Sequence, residues 1–252
     1  MEEQSLTPTA KKRIHLIDEV RGIVLISMIF FHAVYDIHYI YGGGFDWFGG
    51  LTQLYWQYSI GWVFVFIAGM STQFSKNPLK RFTKLLVVAL LISLVTFIAG
   101  VDTMVKFGVI HLLAACALFY SLFEPFLKKI PALPAALVLF IVFLICLHIP
   151  QGYIQLAPGI QLQLPVALYQ YDLFAAFGFP SPSYVDSDYY PLLPYLFLYL
   201  SGMYCCIYFK KRGFPEFTKA KHSKILSTIG SHTLPIYLLH QPILIALFEL
   251  LY

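Results

Sequence analysis

The amino-acid sequence predicts an all-α membrane protein, a polytopic bundle of about seven transmembrane helices with a cytoplasmic N-terminus and an external C-terminus. Three observations lead to this fold class. Hydrophobic residues make up 59% of the 252 residues and charged residues only 12%, whereas soluble domains carry about 25% charged residues. Apolar segments long enough to cross a bilayer recur along the whole chain. Basic residues collect in alternate connections between these segments.

Seven segments are each close to the roughly 20 residues that a bilayer core requires. They fall at about 15–37, 54–75, 82–100, 107–123, 131–149, 191–209 and 233–251. The polar stretch at 1–13 precedes a span that is too long and too charged for the apolar core of a signal peptide, so we expect a cytoplasmic tail. We expect residues 1–252 to form a single transmembrane domain.

The charges of the connections set the orientation. Every lysine and arginine except Lys106 and Arg21 lies before span 1 or at the connections between spans 2 and 3, 4 and 5, or 6 and 7. Because cytoplasmic loops collect Lys and Arg, these connections are predicted to be cytoplasmic. The connection at 150–190 is then external, and its segment 164–179 is expected to form a short interfacial or re-entrant helix. Such a long loop either shapes a binding site or caps the bundle.

The first span carries the most informative pattern. Four ionisable residues interrupt an otherwise apolar helix: Asp18, Arg21, His32 and Asp36. At about 100° per residue they fall within an arc of roughly 60°, so they share one face. Arg21 and His32 are about 16 Å apart along the axis. Ionisable groups inside a bilayer usually line a protein interior or a water-filled path, so this face predicts a polar site that extends past the midplane.

Most other acid–base groups of the spans are predicted to lie in the external half of the membrane. They are His111, His148 and Asp188 with Tyr189, while His240, beside Gln241, lies near the middle of the last span. A membrane histidine can also serve only to bridge two helices by hydrogen bonds. Both interpretations remain open for these histidines.

Two pairs within the first span also have alternative interpretations. Asp36 lies four residues after His32 and can accept its ring N–H, which would fix the tautomer, or it can simply mark the end of the helix. Asp18 and Arg21 are three residues apart and can neutralise each other in an ion pair. For both pairs, one interpretation is a functional site and the other is a purely structural contact.

Other classes of function are disfavoured. The cysteines lie in apolar stretches without metal-ligand spacing, so buried structural thiols and no metal site are expected at Cys116, Cys146, Cys205 and Cys206. The net charge of +4 does not indicate a nucleic-acid partner, because the basic residues lie at span ends. The lipid bilayer is the expected partner.

Arg21 and His32 form an R-x10-H pattern that resembles the first span of membrane acyltransferases of the acyltransferase-3 type. The longer string RIHLIDEVRGIVLISMIFFH, followed by FVFIAGMST, resembles bacterial members of the heparan-α-glucosaminide N-acetyltransferase-like group. Further matching strings are FGVIHLLA at 107–114, DYYPLLPYLFLYLSG at 188–202 and IGSHTLPIYLLHQPIL at 229–244. The five strings occur in order along nearly the whole chain.

This resemblance implies acyl transfer across a membrane, with cytosolic acetyl-CoA or another acyl-CoA as donor and a sugar or related acceptor on the external side. His32 would be the general base or a transient acyl carrier, Asp36 would orient it, and Arg21 would engage the donor. Combined with the depths estimated above, this division predicts donor binding by Arg21, Asp18, His240 and Gln241, and acceptor binding by His38, His111, Asp188 and Tyr189.

One position departs from the lysosomal branch of this group. That branch has asparagine where His32 stands and a reactive histidine in the following luminal loop, so His38 is the rival of His32. Because a thioester is already activated, positioning, one base and a donor to the developing oxyanion suffice, and no metal is required. A homo-oligomer and a bacterial plasma membrane are further expectations.

A proton-coupled small-molecule transporter is the main alternative function, because histidines and aspartates in a membrane shaft can also relay protons. The lack of a detectable inverted repeat and the odd number of predicted spans argue against it. Binding of CoA discriminates the two, since only an acyltransferase should be stabilised by it.

Overall fold

The computed structural model describes residues 13–100 and 104–252, so the predicted tail at 1–13 lies outside the described residues apart from Arg13. It confirms the helical membrane fold, with 71% of the structure in helices. The α-helices are α1 (His15–Tyr39), α2 (Gly50–Thr72), α3 (Pro78–Ile98), α4 (Val109–Leu127), α5 (Ala132–Cys146), α6 (Leu192–Arg212), α7 (Glu216–Lys219), α8 (Lys224–Ser231) and α9 (Thr233–Leu251).

Each predicted span corresponds to one of the long helices. Within the described ranges, six helices are long and apolar enough to cross a bilayer, namely α1, α3, α4, α5 with the turn that follows it, α6 and α9. The helix α2 has 23 residues, but amide and aromatic side chains in its first half lower its hydropathy. The length of α2 is therefore sufficient to cross a bilayer, but its hydropathy is lower than that of the other six helices.

The chain forms two compact units. Of the described residues, the first contains 13–36 and 213–252, and the second contains 37–100 and 104–212. Most of α1 and all of α7, α8 and α9 belong to the first unit, so this unit combines two segments that are far apart in the sequence.

Close backbone packing joins α1 to α8 in the first unit. A Cβ atom on Gly22 would lie 2.3 Å from the carbonyl oxygen of Leu226, so only a glycine fits there. The amide of Ser223, the N-cap residue of α8, donates to the Glu19 carboxylate at 2.9 Å. Small residues that let backbones touch are typical of helix contacts in membranes, and they fix α8 against one turn of α1.

The same unit shows that α1 and α9 run in the same direction. Arg21, early in α1, contacts Gly230, just before α9 begins, and Asp36, late in α1, contacts Gln241 within α9. Two parallel membrane helices must be separated by an odd number of crossings. The helices α3, α4, α5 and α6 account for four crossings between α1 and α9. The common direction of α1 and α9 therefore supports α2 as a fifth crossing, in agreement with the seven predicted spans.

The second unit is built around α6. A Cβ atom on Gly69 of α2 would lie 1.9 Å from the carbonyl oxygen of Tyr199, and one on Gly202 would lie 2.0 Å from that of Phe66. The two helix backbones therefore cross in direct contact. The buried hydroxyl of Tyr199 bonds to the hydroxyl of Thr72 at this crossing.

The connection at 150–190 differs from the expected single helix at 164–179. After a 3₁₀ helix at Ile149–Gln151, it forms an antiparallel hairpin of β1 (Tyr153–Ala157) and β2 (Ile160–Gln163), which the sequence prediction missed. The signal was an alternation of apolar and glutamine residues on both sides of Pro158 and Gly159, since alternation around a turn is typical of a hairpin. Two short 3₁₀ helices follow, at Val166–Tyr169 and Asp172–Phe177, separated by the extended backbone of Tyr171.

Candidate active site

Asp18 organises the charged end of the site in the first unit. Its carboxylate accepts hydrogen bonds from Arg13 at 2.7 Å and from Arg21 at 2.8 Å. Arg21 also donates to the carbonyl oxygen of Gly230 at 3.3 Å. Two guanidinium groups thus face one carboxylate at the predicted cytoplasmic end. The planar fork of N–H donors on a guanidinium group suits a phosphate ligand.

Two histidines face each other farther along α1. The ring centroids of His32 and His240 are 4.9 Å apart, with the planes inclined by 59°. The Nδ1 atom of His240 lies 2.6 Å from the carbonyl oxygen of Tyr237, one turn earlier in α9. The ring of Phe31 packs edge-on against His32 at 5.7 Å. The two imidazoles thus form one cluster whose second member is held by its own helix.

Asp36 is engaged by α9 and not by its own helix. Its side chain is almost fully buried, with 1% of its surface exposed, and it accepts a hydrogen bond from Nε2 of Gln241 at 2.9 Å. We expected the ring of His32 to donate to Asp36, but the described contacts give His32 no such bond. The reason is geometric, because the His32 ring turns to His240 while the Gln241 amide reaches the carboxylate.

These contacts form a polar row along α1, defined by Asp18, Arg21, His32 and Asp36 together with Gly230, His240 and Gln241. Asp18 and Asp36 mark its two ends, about 27 Å apart along the helix axis. Arg21, His32 and Asp36 all meet the same C-terminal segment, as their common face on α1 predicts. The polar row extends across most of the roughly 30 Å of a bilayer core.

His38, the rival of His32, is held in the second unit. The backbone amide of Phe45 donates to its Nδ1 atom at 3.1 Å, and its ring packs against Tyr39 and Phe48. Because Nδ1 accepts a hydrogen bond, the neutral ring carries its proton on Nε2. The remaining nitrogen is then a donor, which is the wrong form for a general base.

His111, predicted to bind the acceptor, uses both ring nitrogens within the protein. Its Nδ1 atom accepts from the amide of Gly108 at 3.3 Å, and its Nε2 atom lies 3.1 Å from the hydroxyl of Ser93. The same hydroxyl donates to the carbonyl of Val105. His111 therefore closes the start of α4 and joins it to α3, which matches the bridging interpretation.

Asp188, also predicted to bind the acceptor, holds the start of α4 as well. Its carboxylate accepts from the amide of Val109 at 3.2 Å, where negative charge stabilises a helix N-terminus. Asp186 accepts from the amide of Phe107 at 2.7 Å and from the Tyr184 hydroxyl at 3.0 Å. Burial and the neighbouring Asp186 charge raise the pKa of Tyr184 above the ordinary value. The connection at 150–190 is thus fastened to the first residue of α4 and to the segment just before it by two carboxylates.

Tyr189 donates its hydroxyl to the carbonyl of Ala175 at 2.6 Å. It also lines a cavity of about 130 Å³ in the second unit. The other lining residues are Gln57, Tyr58, Leu147, Pro150, Gln151, Tyr190, Pro191 and Tyr195. Tyrosine rings and amides, without a charged side chain in the lining, suit an uncharged polar ligand. The external connection therefore shapes a cavity in addition to covering helix ends.

The thiols and acidic groups show no further centre in the described part of the chain. The four cysteines are free thiols, and Cys116 and Cys206 are buried. Within residues 13–100 and 104–252, no group of three or more His, Cys, Asp or Glu residues is placed to hold a metal ion.

Three members of this site were missed from the sequence. Gly230 and Tyr237 contribute backbone carbonyls, for which a sequence carries no direct sign. Glu19 is buried and accepts from the amide of Ser223. Its position next to Asp18 in an apolar span was the available signal, because an acidic residue inside a membrane helix requires a partner.

A search of family models identifies one match across the site. The family described as heparan-alpha-glucosaminide N-acetyltransferase, catalytic, matches residues 13–242, a segment that contains the whole polar row. No curated protein and no solved structure matches the chain.

Proposed function

The chain belongs to the family of heparan-α-glucosaminide N-acetyltransferase catalytic domains, and from this premise we propose that it transfers an acetyl group from cytosolic acetyl-CoA to a sugar or related acceptor on the external side of the membrane. Membership of this family implies an acetyltransferase, and the apolar helices make it an integral membrane protein. The cytosolic side of the donor, the external side of the acceptor and a bacterial plasma membrane are parts of the proposal.

The observation that carries the proposal is the polar row. It extends from a positively charged group at Arg21 to a buried carboxylate at Asp36, with two imidazoles between them. A donor that enters from one side and an acceptor that enters from the other both require polar contacts at membrane depth. Because unsatisfied polar groups are costly in hydrocarbon, a row of this length is expected where substrates replace some of the missing partners.

Each end of the row suits one part of the reaction. Arg21, held between Asp18 and the Gly230 carbonyl, is positioned to bind a phosphate group of the donor. His32 is the candidate for general base or acyl carrier. Asp36 acts through Gln241, which it orients, and hence is a positioning residue in this proposal.

The test uses the purified full chain with acetyl-CoA and glucosamine, and it measures both the free CoA thiol and the acetylated sugar. We expect His32→Ala to reduce transfer by about 10²-fold to 10⁴-fold, which is the usual contribution of a general base. His38→Ala is the matched comparison and should retain most of the activity, because the Nδ1 atom of His38 is occupied by Phe45.

Two results would contradict the proposal. Wild-type protein that neither binds acetyl-CoA nor releases thiol in the presence of glucosamine would exclude the acetyltransferase function. Loss of transfer in His38→Ala with full activity in His32→Ala would still agree with an acetyltransferase, but the catalytic histidine would then be His38 of the second unit.

A further inference from the structure

Two hydrogen-bond acceptors in the polar row are buried without a partner. Within the described residues, the Nε2 atom of His240 and the Oε1 atom of Gln241 have no hydrogen-bond partner. The opposite end of each side chain is held, His240 by the Tyr237 carbonyl and Gln241 by Asp36. A buried acceptor without a donor has lost the hydrogen bond that water would provide, which is unfavourable. Two such atoms on consecutive residues indicate a binding site for a group that carries hydrogen atoms on oxygen or nitrogen.

The hydrogen bond to Tyr237 fixes the tautomer of His240. A carbonyl oxygen can only accept, so Nδ1 of His240 must carry the proton in the 2.6 Å contact. In the neutral ring the Nε2 atom then has a lone pair. A histidine held by its Nδ1–H with a bare Nε2 atom is the form that a general base requires. His32, by contrast, has no such bond to its own helix among the described contacts.

We infer that His240 is a second catalytic histidine of this protein, whose Nε2 atom receives the proton of the acceptor's hydroxyl or amino group while Oε1 of Gln241 holds the same group in place. This inference rests on the proposed function. The acceptor's oxygen or nitrogen forms a bond to the thioester carbonyl carbon, and the carbon–sulfur bond breaks. The proton moves to Nε2 of His240 and then to the departing CoA thiolate, so no further reactant is needed.

The position of His32 agrees with different roles for the two imidazoles in the same reaction. Its ring centroid is 4.9 Å from that of His240, so both rings can contact one reacting centre. In this direct transfer His240 takes the acceptor's proton, while the ring of His32 lies close enough to contact the thioester carbonyl group. Asp36, which is buried and bonded to Gln241, keeps the Gln241 amide turned so that its oxygen faces the acceptor.

Two substitutions of His240 separate a catalytic role from a structural one. In His240→Asn, the side-chain amide nitrogen can occupy the place of Nδ1 and keep the bond to Tyr237, but nothing replaces Nε2. In His240→Gln, the amide reaches the place of Nε2 without being a base, and the bond to Tyr237 is lost. If His240 is the base, both variants lose acetyl transfer by about 10²-fold or more, with the KM for acetyl-CoA unchanged.

His232→Asn is the matched control, because Nδ1 of His232 also contacts a carbonyl oxygen of the preceding turn, that of Thr228 in α8, but its side chain is exposed. This variant should transfer acetyl groups at the wild-type rate. Full activity of His240→Asn would overturn the inference, since it would mean that only the bond to Tyr237 matters. If the wild type transferred no acetyl groups, the proposed function would be rejected, and the inference that rests on it would be rejected too.

A measurement on the wild-type protein makes the inference testable without a variant. Nitrogen chemical shifts of selectively labelled histidine report which ring nitrogen carries the proton. We expect His240 to have a protonated Nδ1 and a bare Nε2, and we expect the Nε2 shift to change when glucosamine is added. A resting His240 protonated on Nε2 alone would overturn the assignment.

Discussion

Gly230 of α8 lies against the backbone of Asp18 of α1 so closely that a Cβ atom at position 230 would be 1.7 Å from the Asp18 carbonyl oxygen. The carbonyl of the same glycine accepts a hydrogen bond from Arg21. One residue without a side chain thus sets both the distance between the two helices and the position of the guanidinium group.

Gly230→Ala should therefore destabilise the protein and impair donor binding together. The new methyl group must displace a backbone, and overpacking of this kind costs about 1–3 kcal/mol. Thermal unfolding in detergent measures the first effect, and titration with acetyl-CoA measures the second. Gly44→Ala is the control, because a Cβ atom there meets nothing within 4 Å. Equal melting temperatures for the two variants would contradict the packing argument.

Arg21→Lys should weaken acetyl-CoA binding about tenfold, or by about 1.4 kcal/mol. A lysine keeps the charge but loses the planar fork that bonds Asp18 and a phosphate at once. Arg13→Lys is the comparison, since Arg13 pairs with the same carboxylate but its side chain is 58% exposed. Exposed ion pairs contribute little, so Arg13→Lys should bind acetyl-CoA as the wild type does. If both variants bind equally well, Arg21 does not hold the donor.

Ser93→Ala should lower stability without affecting catalysis. It removes the bond to Nε2 of His111 and the bond to the Val105 carbonyl, each worth about 1 kcal/mol. The melting temperature should fall while the KM for the sugar acceptor stays constant. Thr83→Ala, which loses only a hydroxyl contact within its own helix, should change neither quantity. An increased acceptor KM at unchanged stability would instead give His111 a role in substrate binding.

The external connection should loosen at alkaline pH. Burial, followed by the Asp186 charge, raises the pKa of both Tyr184 and Tyr189 above the ordinary tyrosine value of about 10. A raised pKa favours the neutral form in the folded state, so this stability is complete below pH 10 and is lost as the pH rises above it. Melting temperatures measured from neutral to strongly alkaline pH should fall less steeply for Tyr184→Phe, which cannot ionise. Parallel curves for the two proteins would exclude this cause.

The face of α1 could be predicted from the sequence, but its partners could not. Periodicity places Asp18, Arg21, His32 and Asp36 on one side of a helix, and the contacts agree with this. It does not say which helix that side meets, because the spacing within one span contains no information about another. The polarity of His240 and Gln241 in the last span was visible, but their pairing with His32 and Asp36 required the structure.

The external residues show a different limit. Asp188 stands just before a span, where an acid can bind a ligand or hold a helix N-terminus, and the sequence does not distinguish these uses. In the structure its carboxylate accepts from the amide of Val109 and so holds the start of α4, while its binding of a ligand stays a prediction. His111 is a similar case, because its partners Ser93 and Gly108 become neighbours only when α3 and α4 pack together.

The bond between Asp36 and Gln241 joins positions 205 residues apart, and this separation has a consequence for biosynthesis. The first membrane helix must enter the bilayer long before the ribosome has made the helix that completes its polar row. During that interval its carboxylates and imidazole require water, lipid headgroups or an insertion factor as temporary partners. Under the proposed function, catalytic competence would then arise only after α9 has been made, because a chain that stops before α9 lacks His240 and Gln241.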